Sequence, residues 1–235
     1  MRGDPSLARI RTLFSGAAPR YDVVVRTTTL GMDVLWKRRL LATIPPDRSF
    51  DRIVDLACGT GIVTEALATR YPDADVIGVD LSEDMLAIAW RRLTQENVEL
   101  VRMRAEDLHA LRSASVDLVV GSYLPKYVDL DELARSVTAV LDELGVVVFH
   151  DFTYPHHPIY RFGFDVYWAA LARLLDRLPG YGPIAADLKP LIVENTDWPD
   201  RLLGALETAG FDRTTHRVQP LQIAAIVTAT KAGRG

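Results

Sequence analysis

Cysteine is almost missing from this chain: 235 residues hold one, Cys58. No disulfide can close within it, which fits a reducing compartment. Long apolar runs are missing too, and none approaches the roughly 18 residues needed to cross a bilayer. Arg2, Arg9 and Arg11 lie near the start, but no apolar core of a signal peptide follows them. Positive charge is not in excess: the net charge of −4 removes the electrostatic case for a nucleic-acid partner. Repeats and low-complexity tracts are absent. What remains, 49% apolar and 25% charged, is an ordinary globular composition, long enough to bury one full core. The expected location is cytoplasmic.

One stretch organises the rest. Ile53-Val54-Asp55-Leu56-Ala57-Cys58-Gly59-Thr60-Gly61 is an apolar run that ends at an acid and passes into a glycine turn. Ile62 to Arg70 then alternates apolar and polar residues at helical spacing. Strand, loop and helix N-terminus in that order bind nucleosides in doubly wound sheets. Gly59 and Gly61 can adopt backbone angles closed to other residues and let a ligand approach the main chain. The glycine spacing is not that of a dinucleotide fingerprint, and no Lys-Ser/Thr pair makes a P-loop.

A second acidic strand end follows. Val76-Ile77-Gly78-Val79 reads as a buried strand closed by Asp80. A carboxylate there can accept both hydrogen bonds of a ribose diol but repels a phosphate, which suits an uncharged adenosine tail. Asp55-Leu-Ala-Cys-Gly-Thr-Gly61 and Gly78-Val-Asp-Leu-Ser-Glu-Asp-Met-Leu86 together resemble the class I S-adenosylmethionine (SAM) methyltransferases. The alternative is a structural strand–helix–strand unit with fortuitous glycines.

The N-terminal region narrows the resemblance. Leu7, Ile10, Leu13 and Phe14 share one helical face, and Val34, Leu35, Leu40 and Leu41 mark the inner face of a further helix, with Lys37, Arg38 and Arg39 mostly outward. Pro45-Pro46 ends it. Phe14-x-x-x-Ala18-x-x-Tyr21-Asp22 and Leu30-Gly31-x-x-x-Leu35-Trp36-Lys37-Arg38 are similar to the start of the ubiquinone/menaquinone C-methyltransferase family, a likeness running over roughly residues 9 to 94. It implies a helical lid over the SAM site with Tyr21 near the methionine end. The alternative for Tyr21 and Trp36 is packing of the arm onto the body.

Past Asp80, Ser82 is read as the N-cap of a helix running to Leu93, with Leu81 and Met85 as candidates to cover the adenine, or else core. After the third strand, Val98 to Met103, the family places an acid where this chain has Arg104. Arginine cannot accept from the adenine amino group, so Glu106, Asp107 or backbone must substitute; one lost contact costs on the order of 1 kcal/mol. SAM binding is still expected, with S-adenosylhomocysteine as product. Cofactor contacts are therefore expected from Tyr21, Asp55, Ala57, Cys58, Gly59 and Gly61, from Asp80, Leu81 and Met85, and from Ala105, Glu106 and Ser122.

Val116 to Gly121 is the fourth strand, and its carboxyl end faces the ligand crevice of an open sheet. Ser122, Tyr123, Lys126 and Tyr127 are there, where the quinone enzymes carry a Gly-Leu-Arg-Asn-like sequence and this chain reads Tyr123-Leu-Pro-Lys-Tyr127. A helix over Asp129 to Leu144, stopped by Gly145, precedes the fifth strand, Gly145 to Phe149. His150 follows and could take a proton as the methyl transfers, oriented or made more basic by Asp151, or it caps the strand end. His150, Asp151 and Tyr123 are the catalytic candidates; Tyr127, Tyr154, His156 and Trp168 are those for substrate. His156 and His157 are adjacent in an extended loop and diverge, which argues against a shared metal.

From Phe162 to Leu178 an aromatic-rich amphipathic helix is expected, then a Pro179-Gly-Tyr-Gly-Pro183 loop, together roofing a flat apolar acceptor. A helix over Asp197 to Ala209 and strands over Phe211 to Val218 and Gln222 to Thr230 close the chain in the manner of the class I tail. The fold class is α/β: a doubly wound, seven-stranded, mostly parallel sheet, its last strand antiparallel between the fifth and sixth. We divide one domain into a lid arm (1–46), cofactor core (47–157), cap (158–196) and closing unit (197–235). The function expected is methyl transfer to carbon or oxygen of a small apolar or aromatic molecule, quinone-like or a natural-product intermediate, without a metal. A methyltransferase-fold cyclase and a non-methylating SAM-binding protein are the alternatives, and homodimerisation stays open.

Overall fold

Alternation along the central strands sets the architecture. In β1 (Arg52–Leu56), Ile53 enters one apolar cluster while Val54 and Leu56 enter another. The same two-residue period divides Leu118 and Val120 from Val119 in β4 (Val116–Ser122), and Val146 and Val148 from Val147 and Phe149 in β5 (Leu141–Phe152). Strands apolar on both faces require cover on both faces. The computed structural model describes residues 21–111, 115–177 and 182–233, without the side chains of 182–187. Leu7, Ile10, Leu13, Phe14 and Ala18 lie outside the described residues.

The sheet has seven strands in the order β3-β2-β1-β4-β5-β7-β6, adding β2 (Asp75–Asp80), β3 (Val98–Arg102), β6 (Phe211–Val218) and β7 (Ala224–Lys231). β1 to β5 are parallel, and β7 runs antiparallel between β5 and β6, as expected. Strand order reverses between β1 and β4, so a ligand crevice forms beyond their carboxyl ends.

Helices α1 (Tyr21–Thr28) and α2 (Met32–Thr43) form the described part of the arm. α2 turns inward on Asp33, Trp36 and Leu40, while Val34 and Leu35 are exposed, a correction to the expected face. Its inward side follows i, i+3, i+7 spacing from Asp33, which an apolar count passes over. Leu40 and Ile44 are fully buried, each contributing about 1.5–3 kcal/mol.

α3 (Ile62–Arg70) follows the glycine turn, and α4 (Glu83–Arg92) is capped as expected by Ser82, whose Oγ accepts from the Met85 N–H. α5 (Leu130–Val140) is capped by Asp129 and buries Leu130, Leu133, Ala134 and Val137. It ends four residues earlier than expected. Residues from Leu141 join β5 through an irregularity between Val116 and Leu118, with Leu144 at φ 62°. Gly145 serves that bend, since a Cβ on it would lie 2.5 Å from Leu141 Cγ.

α6 (Pro158–Leu175) starts one turn before the expected helix, its N-terminus capped by His157 and opened by Pro158. α7 (Gly182–Glu194) was not anticipated; Gly182 and Pro183, read as loop, begin it. α8 (Trp198–Thr208) packs against β6, β7 and α5, and Trp198 Nε1 donates to the Phe152 carbonyl. No helix among the described residues is long and apolar enough to cross a membrane.

Candidate functional site

Asp80 ties the glycine loop to the sheet. Its Oδ2 accepts from the Gly59 N–H and its Oδ1 from the Ser82 N–H, both at 2.8 Å. Each oxygen keeps a further lone pair for a ligand. Burial raises the Asp80 pKa, and those backbone donors oppose the rise. The loop itself needs left-handed backbone at Ala57, Gly59 and Gly61.

The loop residues do not all face the same way. Gly59 and Ala57 line a cavity of about 560 Å³, together with Tyr21, Asp80, Leu81 and Met85. Ala105, Glu106, Ser122, Tyr123 and Tyr127 also line it. Asp55, Cys58 and Gly61 are not on its wall. Asp55 is buried and accepts from the Thr64 hydroxyl at 2.6 Å; burial pushes its pKa up to about 7. Cys58 packs behind the loop, 3.2 Å from where a Gly78 Cβ would stand, and burial raises its thiol pKa. A Cβ on Gly61 would meet Ala89 and Leu93 at 3.2 Å, so this glycine serves the close approach of α3 to α4. Arg104 also lines the cavity and its Nη2 lies 3.1 Å from Glu106 Oε1. Asp107 is not on the wall.

Two acids of the arm make polar contacts with the core. Asp22 of α1 accepts from the Thr60 hydroxyl at 2.6 Å and is paired with Arg92, which also donates to the Thr60 carbonyl at 2.6 Å. Asp33 of α2 accepts from the Tyr123 hydroxyl at 2.7 Å and from Lys37 at 2.8 Å. Lys37 therefore turns inward, against expectation; its side chain is 14% exposed. Tyr123 has φ 62°, an uncommon backbone state for a bulky residue, and that angle carries its ring off the end of β4.

A second cavity, about 370 Å³, lies between α2, α6 and the β5 end. Trp36, Phe152, Phe164, Tyr167 and Trp168 line it. Three of its hydroxyls are committed: Thr28 Oγ1 donates to Val24, Thr29 Oγ1 to Val25, and Tyr167 to the Thr28 carbonyl. Phe152 stacks on Tyr123 with centroids 4.9 Å apart and 17° between planes. One ring faces each cavity, so this pair is the wall between them.

The catalytic candidates sit on that wall or inside it. His150 is fully buried within β5, lines neither cavity, and its Nδ1 is 3.3 Å from Ser122 Oγ. Burial, then the charges of Lys126 and Lys37, lower its pKa to about 3. Asp151 points the other way, as neighbours in a strand must, and pairs with Lys126. It neither orients His150 nor makes it more basic. Burial pushes Lys126 down and Asp151 up, each opposed by the other's charge.

Among the substrate candidates, Trp168 lines the second cavity and Tyr127 the first. The Tyr154 hydroxyl donates instead to Asp165 at 2.9 Å. His156 is exposed, its N–H donating to Gln222. Asp33, Phe152, Met103 and Arg102 were not foreseen.

An acid on the second strand tip, a glycine loop beside it and this strand order define a class I SAM-dependent methyltransferase. A methyltransferase-domain family model matches residues 53–145. A demethylmenaquinone methyltransferase of Clavibacter sepedonicus is 34% identical over the whole of this chain and 96% of its own length. The ubiquinone/menaquinone biosynthesis C-methyltransferase UbiE of Syntrophotalea carbinolica is 30% identical, covering 88% of this chain and 87% of its own. Among solved structures, a SAM-dependent methyltransferase from Archaeoglobus fulgidus superposes with a TM-score of 0.62 at 18% identity, over 90% of this chain and all of that one. The chain belongs to the ubiquinone/menaquinone C-methyltransferase family. It is an enzyme, and its cofactor is SAM.

Proposed function

We propose that the chain methylates a small, flat, apolar acceptor of quinone or hydroquinone type, at carbon or oxygen. The cofactor takes the cavity at the tips of β1, β2 and β4, and the acceptor takes the aromatic cavity under the arm. The shared Tyr123–Phe152 wall carries this reading, because its two stacked rings set an apolar chamber next to the first cavity, and their parting lets the acceptor meet the methyl carbon.

The residues of the first cavity fit SAM. Asp80 offers acceptor lone pairs to a ribose diol, Leu81 and Met85 give apolar cover to a purine, and no lysine among the described residues lines this cavity. Tyr21, Ser122, Tyr123 and Tyr127 surround the end nearest β4, with oxygens and ring faces that suit a sulfonium. When bound, SAM supplies the methyl group to the acceptor and leaves as a neutral thioether.

The protein's part is alignment and proton removal. Trp36, Phe152, Phe164 and Trp168 hold a flat ring and exclude water. Tyr123 takes the proton the acceptor loses and passes its own to the Asp33 carboxylate, to which its hydroxyl donates. Burial and Asp33 raise the Tyr123 pKa well above 10, so it passes a proton while staying a phenol. His150, held neutral beneath it, supports the Tyr123 ring, with centroids 5.1 Å apart.

The test is product mass. With SAM and a substituted naphthohydroquinone, the product should gain one methyl group while S-adenosylhomocysteine accumulates in equal amount. An unchanged mass with altered ring connectivity would move the assignment to a cyclase.

A further inference from the structure

We propose that Arg104 reads the purine of the cofactor as a hydrogen-bond donor, so that this enzyme discriminates only weakly between adenine and hypoxanthine. The inference rests on SAM occupying the larger cavity.

Strand order locates the purine. A ribose held at Asp80 sits on the tip of β2, with β1 and β4 on one side and β3 on the other. The methionine end must run towards Ser122 and Tyr123 on β4 to meet the acceptor chamber. The base is then left to the β3 side, where the Met103 N–H is fastened to the Asp80 carbonyl and Arg104 comes next. Arg104 lines the cavity there.

Its guanidinium is only partly used. Nη2 is held by Glu106, whereas Nε is buried and has no hydrogen-bond partner among the described residues. Buried polar atoms are nearly always paired, and a turn of this side chain, which is 35% exposed and lines the cavity, would bring the nitrogen to an acceptor on a ligand. Guanidinium groups donate and never accept.

Adenine offers ring-nitrogen acceptors together with an amino donor. Hypoxanthine keeps the N7 acceptor and replaces the amino group with a carbonyl. Arginine is well matched to adjacent ring-nitrogen and carbonyl acceptors, as in its contacts to guanine. A carboxylate at position 104 would do the opposite, rewarding the amino group and repelling the carbonyl. The site's preference between the two bases therefore turns on the sign of this side chain.

Calorimetric titration of S-adenosylhomocysteine and S-inosylhomocysteine tests this without turnover. The native enzyme should bind the two within about threefold, less than one neutral hydrogen bond. Arg104→Asp should favour the adenine compound by about tenfold or more, and Arg104→Lys, which keeps a donor, should stay near the native ratio. A native preference for adenine of tenfold or more, or a ratio unmoved in Arg104→Asp, overturns the proposal. Failure of both compounds to bind the folded native enzyme overturns the cofactor placement itself, a distinct result.

Discussion

The Tyr123 hydroxyl donates to Asp33 across 2.7 Å, joining the tip of β4 to the second helix of the arm. This contact, with that of Asp22 to Thr60 and Arg92, helps to register the arm on the sheet beside the aromatic cavity. Tyr123→Phe keeps the ring and its stack on Phe152 but removes the proton path. We expect kcat to fall by about 100-fold, within the range for a lost acid–base group, while S-adenosylhomocysteine affinity changes less than about twofold. Steady-state kinetics beside calorimetry separates the two effects; equal losses in both would make Tyr123 a binding residue only.

If the Asp22 contacts with Thr60 and Arg92 hold the arm over the cavity, breaking them should shorten the stay of product. Arg92→Ala removes a part-buried charge pair and two further donors to Thr60. Release of S-adenosylhomocysteine should then accelerate by about tenfold, equivalent to one or two such bonds. Stopped-flow tryptophan fluorescence reads this rate, and an unchanged rate would mean that the arm does not gate the cavity.

Trp168 and Phe164 stack with centroids 5.7 Å apart and form the outer side of the acceptor chamber. Trp168→Ala should raise the acceptor KM by about tenfold, in line with an aromatic contact and its buried area. The cofactor KM should not move, since Trp168 does not line the other cavity.

Two buried groups should give opposite pH dependences of stability. The Asp55 pKa stands near 7 against an ordinary 3.8, so from about pH 4 to 7 the folded state binds more protons than the unfolded. Its contribution is present at low pH and is lost as pH rises through 7. His150, near 3 against 6.5, binds fewer protons when folded, so its contribution is present above 6.5 and is lost as pH falls. Each is worth up to about 5 kcal/mol by linkage, and they largely cancel between pH 4 and 6.5. Asp55→Asn should make stability climb with pH across that window, and His150→Gln should make it fall. Urea unfolding at several pH values tests both, and slopes of the same sign in the two variants would refute the assignment.

The strand tips and the acid at Asp80 were legible because apolar runs and turn residues are local signals, whereas the antiparallel seventh strand followed from the resemblance to the class I tail. The acceptor chamber was harder to read. It is assembled from segments far apart in the chain, and Asp33 with Lys37 looks in sequence like an exposed i, i+4 pair. Trp36 three residues after Asp33, and Leu40 four later, was the available sign that this face turns inward. The glycine motif announced a backbone shape but not which side chains face the ligand. Asp55, Cys58 and Gly61 accordingly lie behind the loop and serve its packing. At Gly145 a helix stop and a strand bend share one residue type, and only the contact with Leu141 distinguishes them.

The most direct test of the account is calorimetric titration of S-adenosylhomocysteine into the native enzyme and Asp80→Ala, with thermal unfolding confirming that both are folded. Loss of two charge-assisted hydrogen bonds to the ribose should weaken binding by about 100-fold or more. Affinity within about twofold of native in a folded Asp80→Ala protein would contradict the placement of the cofactor on the β2 tip.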